Sequence, residues 1–187
     1  MLFRSKPEAL RITVGNAAAA VPAPSLTPAT PPGGARPRPA PVTAAPSASS
    51  ASPATALGDP GEDAYTEGFR LFEQGQLDAA ITSLRAFTSA YPRHRRVSYA
   101  NNLVGRALLD KSEPRAAAEA LLANYRSLPN GERAADSLYY LGQAQMKLGQ
   151  PGQACRAYSE AEAIYGAKMR AELKKLIADA KSQASCS

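Results

Sequence analysis

The side chains able to carry chemistry are few in this sequence, and they stand apart from one another. His94 is the single histidine, in the segment YPRHRR after a predicted helix end, where the helix dipole and water favour a cation. No second histidine accompanies it to hold a metal ion. Aspartates and glutamates are scattered singly along the predicted helices, so no pair is framed for general acid–base catalysis, and there is no glycine-rich phosphate loop. The sequence therefore predicts a protein that is not an enzyme, with no catalytic residue, cofactor or metal ion.

The two cysteines, Cys155 and Cys186, form neither a zinc-type pair nor a C-x-x-C redox motif. Cys155 lies in GQACRAYSEA, on the small-residue face of a predicted helix with no histidine near it in sequence. That setting favours packing or a disulfide over a nucleophile. Two interpretations stay open: the two cysteines bridge in an oxidising compartment, or one is a buried thiol and the other a thiol of the chain end.

Charge and hydropathy limit the kinds of partner. The formal net charge is +6, but from residue 61 onward 17 Lys and Arg are interleaved with 14 Asp and Glu. A nucleic-acid-binding face needs clustered cations, so we expect no nucleic-acid partner. No run of about 18 apolar residues is present, and no membrane span is predicted.

The first 60 residues differ in composition from the rest. Residues 21–60 hold 11 of the 16 prolines and almost no large apolar side chain, which predicts an extended, disordered Pro/Ala-rich linker over 1–60. A PxxP-type ligand is the alternative function for this segment. The start of the sequence, MLFRSKPEALRITVGNAAAA, lacks the apolar stretch of a signal peptide. Taken literally this indicates the cytoplasm, and a truncated start is the other interpretation.

From residue 61 the sequence repeats with a period of 37 residues. Small residues mark two positions of each unit: Gly68, Gly105 and Gly142 at the first, and Ala80, Ala117 and Ala154 at the second. Larger side chains follow each alanine by four residues: Leu84, Leu121 and Tyr158. We expect the small residues to let paired helices approach closely and the larger ones to fill the contact.

Each unit predicts two helices. In GQLDAAITSLRAFTSAYP, apolar residues recur at i, i+3, i+4 and i+7, and Pro92 ends the run because proline cannot continue a helix. Helices are expected near 62–74, 77–91, 97–111, 114–127, 132–148, 151–165 and 167–184. The last should bury a stripe of Met169, Leu173, Leu176, Ile177 and Ala180. The predicted fold class is an all-α tetratricopeptide-repeat solenoid over 61–187, with three helix pairs (about 61–97, 98–134 and 135–167) and a capping helix at 168–184.

The segments LDAAITSLRAFTSAYP, ANNLVG and PNGERAADSLYYLG give a finer resemblance. They resemble the carboxy-terminal repeat domain of the Tol-Pal-associated cell division coordinator family (CpoB/YbgF-like), over about 90 residues in a row. Asn101 and Asn102 depart from that family's Tyr-Trp, and Gly166 replaces its third unit-ending proline. The resemblance implies a periplasmic adaptor that contacts a Tol-system component and a peptidoglycan synthase, linking wall synthesis to outer-membrane constriction during division. It also implies a signal peptide and a homo-oligomerising amino-terminal coiled coil, neither of which is visible here.

Two other functions fit the same repeats. One is an outer-membrane assembly or envelope scaffold protein, since such proteins use similar Tyr-Pro-ended units. The other is the accessory domain of a cell-wall enzyme. In each case the binding surface should be the groove lined by the first helix of each pair.

Counting from the glycine positions gives the candidate residues of a peptide groove. They are Tyr65, Phe69, Asn102, Arg106, Tyr139, Gln143 and Lys147. Aromatic anchors beside an amide and a guanidinium suit a peptide, because rings supply contact area and polar groups fix the backbone. The alternative is that the aromatic side chains pack between repeats.

Overall fold

The computed structural model describes residues 58–186, which form seven α-helices and no strand. The helices are α1 (Pro60–Glu73), α2 (Leu77–Ala90), α3 (Val97–Asp110), α4 (Pro114–Ser127), α5 (Ala134–Lys147), α6 (Pro151–Tyr165) and α7 (Ala171–Gln183). The predicted linker at 1–60 lies outside the described residues except for its last three positions. Within the described part of the chain, no helix is long and apolar enough to cross a membrane.

Prolines mark three of the helix starts, and a left-handed turn separates the two helices of each pair. Prolines occupy the first turn of α1, α4 and α6, where the missing amide proton leaves no helical hydrogen bond unmade. The turn between the two helices of each pair holds one residue at positive φ: Gly75 at 72°, Ser112 at 61° and Gly149 at 70°. These three residues recur with the 37-residue period, so each pair turns in the same way.

The helix pairs stack in chain order. α1 packs on α2, α3 on α4 and α5 on α6, and each pair packs on the next. The first helices also contact one another along the stack, α1 with α3, α3 with α5, and α5 with α7. They form one continuous face, here called the inner face. The predicted all-α architecture of three helix pairs and a C-terminal helix is confirmed.

Small residues sit where the two helices of a pair come closest. A Cβ atom on Gly68 would lie 2.7 Å from Cγ of Leu84, and Cβ atoms on Gly105 and Gly142 would overlap Leu121 and Tyr158 in the same way. The alanines of the second marker position, Ala80, Ala117 and Ala154, are completely buried. An alanine in place of any of these three glycines would force a packed side chain to move.

The last helix differs from its prediction in two respects. α7 begins at Ala171 and not at 167, because Arg170 has an extended backbone (φ −60°, ψ 146°) that no helix continues through. The predicted buried stripe is wrong for Leu176, which is 45% exposed. Leu173, Ile177 and Ala180 form the buried stripe, and Leu176 lies about 100° away from Ile177 around the helix.

Candidate functional site

The inner face contains a cavity of about 270 Å³ that spans α1, α3 and α5 and reaches the start of α7. Four aromatic side chains line it: Tyr65, Phe69, Tyr99 and Tyr140. Four charged side chains also line it: Arg106, Arg133, Asp136 and Arg170. Aromatic surface beside guanidinium groups is the composition in which binding energy concentrates at protein interfaces.

Four predicted groove residues, Tyr65, Phe69, Asn102 and Arg106, are brought together in this cavity. Tyr65 is 92% buried, at 8% exposure, with its ring 5.9 Å from that of Phe87 and 6.3 Å from that of Tyr99. It therefore packs between repeats while it lines the cavity. Phe69 stacks on Tyr65 with ring centroids 6.2 Å apart and is half-buried.

Asn102 belongs to a buried polar network that joins the second and third repeats. Its side-chain amide donates to Oγ of Ser137 at 3.1 Å. Asn124 donates to the same hydroxyl oxygen at 2.9 Å and to the carbonyl oxygen of Ser98 at 3.1 Å. The Oγ of Ser98 in turn accepts from the backbone N–H of Arg133 at 3.2 Å. Because its amide is committed to Ser137, Asn102 fixes the register of neighbouring repeats.

Arg106 is held by aromatic rings. Its guanidinium carbon lies 5.0 Å from the ring centroid of Phe72 and 5.1 Å from that of Tyr140. Arg106, on the second repeat, thereby contacts the first repeat through Phe72 and the third through Tyr140. No carboxylate among the described residues forms an ion pair with it. Contact with rings uses the faces of a guanidinium and leaves its N–H groups able to bind a ligand.

Three arginines recur along the inner face with the period of the repeat. Arg96, Arg133 and Arg170 are 37 residues apart and occupy the N-cap positions of α3, α5 and α7. We call them the arginine row. A cation is unfavourable at the positive end of a helix dipole, so an arginine at these positions does not stabilise the helix that it precedes through the dipole.

Each member of the arginine row contacts the preceding repeat. Arg96 pairs with Glu62 at 2.8 Å, and its guanidinium carbon lies 5.2 Å from the ring centroid of Tyr65. Arg133 lies over Tyr99, with 4.7 Å between the guanidinium carbon and the ring centroid. Arg170 pairs with Asp136 at 2.5 Å. The row therefore joins successive repeats, and two of its members, Arg133 and Arg170, also line the cavity.

The charge balance of this region is positive. Asp136, 92% buried at 8% exposure, is shared by Arg133 at 3.1 Å and Arg170 at 2.5 Å. The cavity lining thus carries three arginines against one aspartate. At its N-terminal edge, hydrogen bonds from Arg96 and Arg95 hold the pKa of the Glu62 carboxyl below its ordinary value.

The predicted groove residues of the third repeat do not line this cavity. Tyr139 lies 6.3 Å from the ring of Tyr158, centroid to centroid, and the amide of Gln143 donates to the Tyr158 hydroxyl at 3.0 Å. Burial raises the pKa of Tyr158 to about 12. Lys147 is exposed at the end of α5. In this repeat the residues that line the cavity are Arg133, Asp136 and Tyr140.

Cys155 and Cys186, for which the sequence left a disulfide and two separate thiols open, are joined in a disulfide with an S–S distance of 2.05 Å. It links α6 to the residues directly after α7, across a sequence separation of 31. It thereby fastens the last helix to the body of repeats.

Six residues that line the cavity were not among the predicted groove residues: Tyr99, Leu103, Arg133, Asp136, Tyr140 and Arg170. A usable signal existed for the arginines, because the 37-residue period that marks the glycines also marks the arginine row. The glycine landmark points to the middle of each first helix, whereas much of the cavity is built from the helix starts. No repeat position or motif pointed to Tyr140, whose equivalents in the first two repeats are Thr66 and Leu103.

Comparisons with known proteins agree with this architecture. A tetratricopeptide repeat family model matches residues 136–165, which include most of α5 and α6. No curated protein matches the sequence. Among 23 matching chains of solved structures is PcrH from Pseudomonas aeruginosa, at 17% identity and a TM-score of 0.56, with 72% of this chain and 96% of that chain covered.

The described part of the chain is therefore a tetratricopeptide-repeat helical solenoid, as predicted. Such stacks of helix pairs present extended surfaces to which other proteins bind.

Proposed function

We propose that this protein is a non-catalytic adaptor of the Gram-negative periplasm that holds a segment of a protein partner against its inner face. The observation that carries the proposal is the cavity itself. Aromatic rings from successive repeats line it, together with three arginines that only one aspartate of the lining opposes. One segment laid across α1, α3 and α5 would contact all three helix pairs.

The proposed partners are a Tol-system component and a peptidoglycan synthase. They come from the resemblance of the repeats to the cell division coordinator family, and in this role the adaptor links peptidoglycan synthesis to outer-membrane constriction during division. The Cys155–Cys186 disulfide supports the proposed periplasmic setting, because disulfides persist in oxidising compartments. Homo-oligomerisation through an amino-terminal coiled coil stays an expectation from the same resemblance.

The test is direct binding of the full chain to the purified periplasmic domains of Tol proteins and of a peptidoglycan synthase. We expect at least one to bind, with weaker binding by Arg106→Gln. Arg85→Gln is the matched control, since it removes the same charge from an exposed position of the outer helix α2. Binding by none of these domains contradicts the proposed partners.

The cellular setting needs a separate experiment. Alkylation of free thiols in intact cells, followed by a mass measurement, should leave Cys155 and Cys186 unmodified. Modified cysteines together with recovery in the cytoplasmic fraction would contradict the periplasmic assignment.

A further inference from the structure

We infer that Arg106 is the anchor for one acidic side chain, Asp or Glu, in the segment of a partner protein that the inner face binds. The inference rests on the proposed adaptor function and adds the chemistry of the bound segment. It starts from three features of Arg106: its position in the middle repeat, its two ring contacts and its lack of a carboxylate partner among the described residues.

The positive charge of Arg106 belongs to the middle repeat alone. The equivalent residues, one period of 37 residues away on either side, are Phe69 and Gln143, which carry no charge. Phe69 stacks on Tyr65, and Gln143 donates a hydrogen bond to the hydroxyl of Tyr158. The three repeats thus place a single cation at this position of the inner face, which fits one anion and not a row of anions.

The guanidinium of Arg106 is held in place without being neutralised. Phe72 and Tyr140 contact it from the first and third repeats, with 5.0 and 5.1 Å between the guanidinium carbon and the ring centroids. Ring contacts of this kind leave the N–H groups able to donate hydrogen bonds. Because the rings already restrict the half-buried side chain, less conformational entropy is lost when it binds a ligand.

The other charged groups of the cavity already have partners. Arg133 and Arg170 both donate to Oδ1 of Asp136, so the lining holds three guanidinium groups against one carboxylate. This excess of positive charge favours an anion over a neutral carbonyl group. Carboxylates are the anionic groups that a protein segment itself carries, and arginine binds them through paired, charge-assisted hydrogen bonds.

The surroundings of Arg106 favour the carboxylate of a side chain over that of a chain end. Chain ends are captured by backbone N–H groups in a nest, which includes a residue in the left-handed conformation. Among the described residues, positive φ occurs at Gly75, Ser112, Gly149 and Ser185. None of these four residues lines the cavity. An apolar side chain next to the acidic one has the half-buried ring of Phe69 to pack on.

The chain's own first 60 residues do not supply this acidic side chain. They carry 5 Lys and Arg and only 2 Asp and Glu. One of the two acids, Asp59, lies beside His94, and the other, Glu8, has Lys6 and Arg11 close to it in sequence. The occupant is therefore a segment of another protein.

The first experiment selects heptapeptides that bind the full chain from a random library, displayed between constant residues so that no chain end is presented. We expect Asp or Glu in nearly all of the selected sequences. Selection against Arg106→Gln should lose this enrichment. Selection against Arg85→Gln, which removes an exposed charge of α2, should keep it.

The second experiment measures whether Arg106 and the acidic residue contact each other. The best selected peptide and its amide derivative, with Glu replaced by Gln or Asp by Asn, are capped at both ends and titrated by fluorescence anisotropy. In the unmodified protein, loss of the peptide's charge should weaken binding at least about tenfold, because a charge-assisted contact is lost. In Arg106→Gln the same change should weaken binding less than about threefold, since the two groups are coupled.

Arg170→Gln is the matched control within the cavity. It removes the same charge from the lining, but from a guanidinium paired with Asp136, which keeps Arg133 as a partner. Loss of the peptide's charge should still weaken binding about tenfold in this variant. Arg106→Lys keeps the charge without the planar fork and should give an intermediate value. Circular dichroism of every variant establishes that the helices are retained.

Three results would overturn the inference. Selected peptides without an acidic residue, or no selected peptide at all, would remove the acidic ligand. Equal effects of the peptide's charge in the unmodified protein and in Arg106→Gln would place the carboxylate elsewhere. Equally tight binding of the amide derivative with an uncapped carboxylate end would show recognition of a chain end. If a Tol or synthase domain still bound in any of these cases, the adaptor function would stand and only the acidic anchor would be lost.

Discussion

At residue 112, the turn of the second helix pair holds a serine in the backbone conformation that its two counterparts reach with glycine. Ser112 has φ 61°, while Gly75 and Gly149 have 72° and 70°. A side chain in this left-handed region costs about 1 to 2 kcal/mol, part of which is offset because glycine gives the unfolded chain more freedom. We expect Ser112→Gly to raise the free energy of unfolding by about 0.5 to 1 kcal/mol.

Urea denaturation followed by circular dichroism measures this change. The matched control is the reverse substitution, Gly75→Ser, which should lower the free energy of unfolding by a similar amount. A Ser112→Gly variant with a lower free energy of unfolding would mean that contacts of the serine side chain stabilise the protein by more than the strain of its backbone destabilises it.

A second residue-scale prediction concerns Gln145, which lies fully buried in α5. Neither polar atom of its carboxamide has a hydrogen-bond partner among the described residues, and the equivalent positions of the first two repeats are Leu71 and Leu108. An unsatisfied buried polar group costs about 1 to 3 kcal/mol. Gln145→Leu should therefore raise the free energy of unfolding by about that amount in urea denaturation.

Leu108→Gln provides the comparison for Gln145. It places the same carboxamide at the same position of the second repeat, where 96% of the leucine is buried, at 4% exposure, and it should destabilise the protein. If Gln145→Leu were destabilising as well, the carboxamide of Gln145 would have a partner that outweighs its burial.

At the scale of helices, the disulfide decides how firmly α7 is attached. α7 buries Leu173, Ile177 and Ala180, but it packs less extensively on α5 and α6 than the neighbouring helices of the stack pack on each other. The Cys155–Cys186 bond closes a loop of 31 residues. The conformational entropy that this closure removes from the unfolded chain should stabilise the folded protein by about 3 to 4 kcal/mol. We expect Cys155→Ala combined with Cys186→Ala to speed hydrogen exchange in 171–186 far more than in α1–α4.

Reduction of the unmodified protein should reproduce the effect of the two alanines. The same reductant should leave the exchange of the double variant unchanged, which separates loss of the bond from general effects of the reagent. Equal exchange in α7 with and without the bond would mean that apolar packing alone holds the helix.

The helix pairs were predictable from sequence because their determinants are local. Pro92 and Pro129 end two units, and small residues every 37 positions mark the close contacts. The candidate site was only partly predictable. Tyr139 follows the same landmark as Tyr65, yet only Tyr65 lines the cavity, and the ring of Tyr139 lies beside that of Tyr158. The surroundings of a repeat position depend on its neighbours, which the period does not describe.

On the scale of the whole molecule, the two ends of the stack are fastened by different chemistry. The C-terminal end has a covalent bond between α6 and the residues after α7. The N-terminal end has polar contacts: Asp59 lies 2.9 Å from His94, and Glu62 forms ion pairs with Arg95 and Arg96 at 2.9 and 2.8 Å. Because each helix pair contacts only its neighbours, either end can open without the other.

Acid should therefore loosen the N-terminal end. Hydrogen bonds from His94 and from Arg96 hold the pKa values of Asp59 and Glu62 below their ordinary range. A carboxyl whose pKa is lowered by folding stabilises the folded state fully above its unfolded pKa, at about 4, and loses that contribution as the pH falls through the folded value. We expect the free energy of unfolding to fall below about pH 4.5, with α1 the first helix to open.

Glu62→Gln separates this ionic contribution from the general effect of acid. The variant should be less stable than the unmodified protein at pH 7, and this difference should shrink as the pH falls toward about 2, because the carboxyl of Glu62 then takes up a proton. The matched control is Glu119→Gln, at an exposed position of α4. The difference in free energy of unfolding between this variant and the unmodified protein should change much less with pH. Urea denaturation at both pH values measures these differences. A Glu62→Gln difference of the same size at pH 7 and pH 2 would show that Glu62 stabilises α1 by packing and not by its charge.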